Sequence, residues 1–142
     1  MLGNGIAYIR LKKFNAQGTD DIKKALTDYR KQGMKFLILD LRDNLGGLID
    51  PAINIASMFI KEKKLVVSTK GRAAEFNKEY LTSGNGEFSD LEFIILVNKY
   101  SASAYEVLSG AIQDFKRALI VGCNTFEKDL FRLFILYPTV RF

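Results

Sequence analysis

Ser103 and Lys128 are the two residues of this chain whose pairing could carry covalent chemistry. The sequence contains no histidine, which excludes His-based acid/base and metal schemes and leaves a lysine as the candidate base for a serine nucleophile. A serine hydroxyl attacks a carbonyl only if a neighbouring group removes its proton. A lysine does this when desolvation lowers its pKa toward neutrality, so it needs apolar neighbours. Phe126 and the apolar run that precedes it are candidates. The attack also creates an oxyanion that must be met by backbone N–H groups. A glycine pair such as Gly46-Gly47 lets the main chain approach closely enough. The ordinary alternative stays open beside this one: a serine at a helix start is usually a cap, and glycine loops are common.

The elements that must position these residues are visible in the patterning. Ser103 lies in Asn98-Lys99-Tyr100-Ser101-Ala102-Ser103-Ala104-Tyr105-Glu106, where a strand-like run ends and a helix-like run begins, a turn that can hold a hydroxyl outward. Ile6 to Leu11 alternates as a first strand. Thr19 is the expected cap of a helix over Asp20 to Gln32, closed by Gly33. Phe36 to Leu41 is a continuous apolar run of the kind covered on both faces by helices, and it leads into Arg42-Asp43-Asn44-Leu45-Gly46-Gly47. Asp50 as cap and Pro51 at the first helical position open another helix through about Phe59.

Leu65 to Thr69 reads as a strand, with Glu75 to Tyr80 as a hairpin arm extending the same sheet. Ser83-Gly84-Asn85-Gly86 is a turn cluster, Phe93 to Val97 a buried strand, Ala104 to Phe115 an amphipathic helix, and Ala118 to Val121 a last strand. The order βαβαβ(β)βαβ predicts an α/β fold with a mainly parallel sheet and helical crossovers. Ligand sites in such folds gather beyond the carboxyl ends of strands. Gly46-Gly47, Ser103 and Lys128 all follow strand ends. No internal repeat, low-complexity tract or linker divides the chain, so residues 1–142 read as one domain.

Composition narrows the function classes. A chain of 142 residues with 48% hydrophobic and 26% charged residues can build a compact core. Its apolar runs are far shorter than the roughly 20 residues a spanning helix needs. The start of the sequence lacks the pattern of a secretory signal. The net charge of +5 is mixed with acids, as in Lys61-Glu62-Lys63-Lys64, so a solvated basic surface is expected rather than a nucleic-acid site. Cys123, the single cysteine, can neither form an internal disulfide nor build a cysteine metal site alone, and is expected to be a packed thiol. No metal or cofactor is expected, and the oligomeric state is left open.

Five linked blocks carry a resemblance. Ile6-Ala7-Tyr8-Ile9-Arg10, Leu39-Asp40-Leu41-Arg42-Asp43-Asn44-Leu45-Gly46-Gly47, Thr69-Lys70-Gly71-Arg72, Ser101-Ala102-Ser103-Ala104-Tyr105-Glu106 and Gly110-Ala111-Ile112-Gln113-Asp114 resemble, in order and spacing, the carboxyl-terminal processing (tail-specific) proteases. In that family the second serine of Ser-Ala-Ser-Ala-Ser-Glu is the nucleophile and the base is the lysine of Thr-Phe-Gly-Lys-Gly. Ser103 and Lys128 match them with the family's separation of 25 positions. The resemblance implies a crotonase-like α/β core, here truncated, and a serine endopeptidase acting on protein or peptide substrates near their C-termini. It also implies a usually extracytoplasmic setting, whereas the missing signal would leave this chain, as it stands, in the cytoplasm. It gives the Gly46-Gly47 region a role as oxyanion or substrate contact. The family's peptide-binding PDZ domain precedes the strand with which this sequence begins, so the chain is expected to be an incomplete core.

Three departures bear on activity. Leu45 stands where the family usually has proline. Tyr105 replaces a small residue, and its ring either crowds the site or leans outward. Arg132 replaces the glutamine that holds the family's lysine, placing a like charge four residues from Lys128. From Glu127 the match collapses, and one lost nucleotide accounts for it. Codons exist for Glu127 to Arg141 that, with one G restored in front, read Gly-Lys-Gly-Leu-Val-Gln-Thr-Val-Tyr-Pro-Leu-Ser-Asp-Gly-Ser, which resembles the family's continuation. Residues 127–142 are then an out-of-frame tail. The bland alternative is a diverged final strand, since Leu133-Phe134-Ile135-Leu136-Tyr137 is apolar. Two function classes follow: a Ser/Lys endopeptidase core, or an inactive remnant that at most binds peptide. A crotonase-like acyl-thioester enzyme is a more distant third.

Overall fold

A computed structural model describes residues 1–69, 77–101 and 103–122. Their order is β1 (Ile6–Arg10), α1 (Ala16–Lys31), β2 (Phe36–Asp40), α2 (Ile49–Phe59), β3 (Leu65–Thr69), β4 (Lys78–Leu81), β5 (Glu92–Val97), α3 (Ala104–Asp114) and β6 (Leu119–Gly122). Strands β1, β2, β5 and β6 form one sheet in that spatial order, parallel throughout. The expected parallel α/β sheet is therefore present. Tyr8, Ile38, Ile94 and Leu119 stand in register across it.

Two expectations about the sheet are corrected. Strand β3 does not join it: β3 pairs antiparallel with β4 as a separate two-stranded ladder, and the main sheet passes directly from β2 to β5. Nor are β2 and β5 covered equally on both faces among the described residues. Leu37, Leu39, Phe93, Ile95 and Val97 are buried, while Phe36, Ile38, Ile94 and Leu96, which alternate with them, are only half-buried. A continuous apolar run hides this asymmetry, because side chains alternate between faces whatever their chemistry. The buried face, with Leu26, Ala52, Ile55, Phe59, Leu108 and Ile112 from the helices, forms one core.

Helix starts also differ from expectation. Asn15, not Thr19, caps α1: its Oδ1 accepts the Gly18 N–H at 2.6 Å, and Thr19 sits inside the first turn with its own N–H on Asn15 O. Gly18 permits this, since a β-carbon there would lie 3.1 Å from Asn15 Oδ1. The cap of α2 is Leu48, two residues before the expected Asp50, so Asp50 and Pro51 are the helix's second and third residues. Proline is tolerated there because N–H groups in the first turn have no intrahelical acceptor, and Asp50 keeps its favourable interaction with the helix dipole. No helix among the described residues is long and apolar enough to cross a membrane.

Candidate active site

The turn from β5 into α3 carries a capping box, formed by Ser103 and Glu106, on an unusual backbone. Ser103 is the residue before α3, but its backbone is at φ 67°, ψ −124°, far from the extended conformation of an ordinary N-cap. A non-glycine residue held there stores on the order of 1–3 kcal/mol, and such strain clusters at functional sites. Local bonds hold it: the Glu106 carboxylate accepts the Ser103 N–H at 2.9 Å, and the Glu106 N–H donates to the Ser103 carbonyl at 2.8 Å. Tyr105 does not lean outward. It is 3% exposed and belongs to the core.

The Gly46-Gly47 loop follows β2, the neighbour of β5, and leaves the same end of the sheet. Asn44, fully buried, organises it by donating Nδ2 to Leu11 O at 2.8 Å and accepting the Gly46 N–H on Oδ1 at 2.8 Å. Phe14 docks alongside, its N–H on Gly46 O and its carbonyl accepting Leu48 N–H, both at 3.1 Å. Gly47, at φ 145°, lies so close that a β-carbon on it would sit 2.2 Å from Phe14 O. Only glycine fits. The Gly46 N–H is thus already engaged, whereas Gly47 is exposed on the loop surface. Leu45 and Leu48, 77% and 64% exposed, make the loop's rim apolar.

Two hydrogen-bonded clusters connect the strand ends. Asp40, with no solvent exposure, receives the Tyr8 hydroxyl at 2.6 Å and Arg42 through its amide, Nε and Nη2. Burial alone would raise this carboxyl, but the bonds from Arg42 and Tyr8 outweigh it and hold its pKa at about 2. The same bond to Asp40, with some burial, raises the Tyr8 phenol above its usual range. The second cluster joins Asp43 to Asn98 and to Arg10 at 2.9 Å. The buried Ser101 hydroxyl donates to Leu41 O at 2.9 Å. Sequence reading passed over Asn98, Asn44, Tyr8 and Asp40. The one available signal was an aspartate ending an otherwise apolar strand run, which marks a buried charge in need of partners.

Lys128, Cys123, Phe126 and Arg132 lie outside the described residues, as do Ala102 and residues 70–76. Strand β6 runs parallel to β5, with Gly122 in register with Val97 and its missing side chain giving room to Val97 O. The chain therefore leaves β6 at the end of the sheet where Ser103 and Gly47 stand.

A parallel α/β core with a serine on a strained strand-to-helix turn, beside a glycine loop at the same sheet end, is the architecture of α/β proteins that present a serine hydroxyl at a strand terminus. The chain belongs to peptidase family S41, whose model matches residues 5–138. It is 38% identical over 136 residues to a carboxyl-terminal-processing protease of Picosynechococcus, covering 96% of this chain and 32% of that one. With the chloroplastic C-terminal processing peptidase of Tetradesmus obliquus it shares 39% identity over 125 residues, 88% of this chain and 26% of the relative. Among solved structures it matches a photosystem II D1 C-terminal processing protease with a TM-score of 0.74 and 38% identity, over 85% of this chain and 31% of that one. The resemblance and the crotonase-like α/β core are thereby borne out. The chain spans about a third or less of the length of these curated relatives.

Proposed function

We propose that the chain is the catalytic core of a carboxyl-terminal processing serine endopeptidase, with Ser103 as nucleophile, Lys128 as general base, and the Gly46-Gly47 loop as oxyanion or substrate contact. The observation that carries the reading is the Ser103 backbone, because a cap alone gives no reason to hold a serine at φ 67°. Lys128 takes the hydroxyl proton as Ser103 Oγ attacks the scissile carbonyl. The tetrahedral oxyanion is met by the N–H of Gly47, since that of Gly46 is engaged by Asn44, and by that of Ala104, the first residue of α3, which has no intrahelical acceptor. Collapse breaks the C–N bond, and the lysine ammonium returns its proton to the leaving amine. Water then attacks the acyl-Ser103 ester, giving a proton to Lys128, which passes it to Ser103 Oγ as the C–O bond breaks and the new carboxyl terminus is released. Substrates are protein C-terminal segments, and by kinship the setting is outside the cytoplasm. The linked protease blocks disfavour acyl-thioester chemistry.

The second reading, an inactive remnant, is favoured by the tail: Glu127, Asp129 and Arg132 depart from the pattern around the base, as a lost nucleotide before the Glu127 codon would produce. Cleavage of an unstructured peptide library by the chain, by Ser103→Ala and by a frame-restored version separates the two. Activity in the chain itself that vanishes in Ser103→Ala supports the peptidase reading. Activity only after restoring the frame makes this chain the remnant. Sequencing the gene across Phe126 and Glu127 in independent isolates tests the lost nucleotide, and an intact frame in all of them removes it.

A further inference from the structure

Asn98, the first residue after β5, has more partners across the site than any role in its own turn requires. Its Oδ1 accepts the Asp43 N–H at 3.0 Å and the Tyr100 N–H at 3.2 Å, and its Nδ2 donates to Asp43 Oδ1 at 2.8 Å. Its backbone closes the turn, with the carbonyl accepting the Ser101 N–H at 3.0 Å and the N–H facing Ser101 Oγ at 3.3 Å. Ser101 in turn donates its hydroxyl to Leu41 O. On the other side, Asp43 adjoins Asn44, which holds Gly46. Hydrogen bonds through Asn98, joined by the peptide link from Asp43 to Asn44, thus tie the turn that precedes Ser103 to the loop bearing Gly46 and Gly47.

Asp43, against the Asn98 side chain, is held at φ 62°, and Ser103, two residues beyond Ser101, at φ 67°. Each conformation is costly for a non-glycine residue and persists only where the surroundings over-determine it. The Asn98 amide is suited to the task, because its oxygen serves the Asp43 and Tyr100 amides while its nitrogen serves the Asp43 carboxylate. A carboxylate at 98 could accept but not donate.

We propose that Asn98 is a positioning residue, whose side-chain amide locks the nucleophile turn and the glycine loop in one register so that hydroxyl and oxyanion donors face the same carbonyl. The catalytic meaning rests on the peptidase reading above. The mechanical coupling does not. A misregistration of the two loops leaves peptide binding nearly intact and removes stabilisation present only in the transition state, so it lowers kcat more than it raises KM.

The test is a charge-pattern swap. Asn98→Asp sets two carboxylates face to face. Adding Asp43→Asn restores one donor and one acceptor with their positions exchanged, at the cost of the Asp43 pair with Arg10, which is exposed and contributes little. Two readouts are taken on the intact chain: amide hydrogen exchange, and the rate of Ser103 acylation by a serine-reactive activated-ester probe at saturating and limiting concentration. Asn98→Asp is expected to speed exchange at Asp43 and Tyr100 at least tenfold without changing α1. It is also expected to slow acylation at saturating probe at least tenfold with little change in half-saturation. The double variant is expected to recover both.

The proposal is overturned if Asn98→Asp leaves exchange unchanged in either loop, or if the double variant is no better protected than the single. If Asn98→Asp does not fold, the double variant against Asp43→Asn alone decides: wild-type-like protection of both loops supports the coupling, and its loss overturns it. If the unmodified chain is not acylated at all, the peptidase reading of this chain fails, while the exchange results still decide the coupling. Exchange that recovers without acylation recovering in an active chain overturns the catalytic half alone.

Discussion

Arg42 grips Asp40 at two points, Nε to Oδ1 at 2.9 Å and Nη2 to Oδ2 at 2.7 Å, while the Tyr8 hydroxyl closes on the same Oδ2 at 2.6 Å. The carboxylate is buried and the guanidinium is half in solvent, so one strand end holds a charge that its neighbours must keep paired.

This pairing predicts acid sensitivity with a definite sign. The folded pKa of Asp40, about 2, lies below its unfolded value of 3.8, so the contribution is fully present above pH 4. It is lost as pH falls from about 4 toward 2 and amounts to roughly 2 kcal/mol. Chemical denaturation at pH 6, 4 and 2.5 should show that loss in the wild type, and Asp40→Asn should flatten this part of the profile. An unchanged acid profile in the variant would refute the assignment.

Strain at Ser103 predicts an unusual ranking of variants. Glycine occupies φ 67°, ψ −124° without penalty, whereas alanine keeps the strain, so Ser103→Gly should unfold at a higher temperature than Ser103→Ala, by about 1 kcal/mol in stability. Both should lose any acylation by a serine-reactive probe. Calorimetric Tm values that place alanine above glycine would show the backbone to be unstrained.

Gly47→Ala should be costly although the position is exposed. The added methyl would lie 2.2 Å from Phe14 O and must push two backbone segments apart, for a loss of roughly 2 kcal/mol or more. Gly33, whose β-carbon would meet nothing within 4 Å, provides the comparison: alanine there is strained by φ 82° but meets no clash, and should cost less. Urea midpoints of the two variants check the difference.

Arg117 stitches three carbonyls together, those of Phe59 at 2.9 Å, Leu91 at 2.6 Å and Phe88 at 3.3 Å, and lies over the Phe93 ring. Burial lowers its pKa, against the pull of Asp90 and Glu92. Arg117→Met keeps the apolar stem but leaves these acceptors without their donor, and should destabilise by about 2 kcal/mol. Arg117→Lys should recover only part, since a single ammonium cannot reproduce a planar fork. Equal losses for Met and Lys in urea titrations would argue that packing, not the fork, matters.

Much of this protein was legible in its residues. Strand and helix periodicity predicted β1, α1, β2, α2, β5, α3 and β6 in order, because apolar spacing reports which face is buried before any partner is known. The linked blocks around Asp40, Gly46-Gly47 and Ser103 pointed to the protease family, whose model and relatives match. Other features depended on distance in space. That β3 leaves the sheet to pair with β4, and that one sheet face is the more deeply buried, are decided by which elements meet across the fold. That Asn15 rather than Thr19 caps α1 turns on a 2.6 Å contact that several nearby polar residues could have offered. The sequence offered Ser103 as a cap or a nucleophile but not its positive φ, which the turn imposes, and it gave Asn98 no role of its own. Its significance comes from Asp43, 55 positions earlier in the chain, which only the parallel pairing of β2 with β5 brings within hydrogen-bond reach.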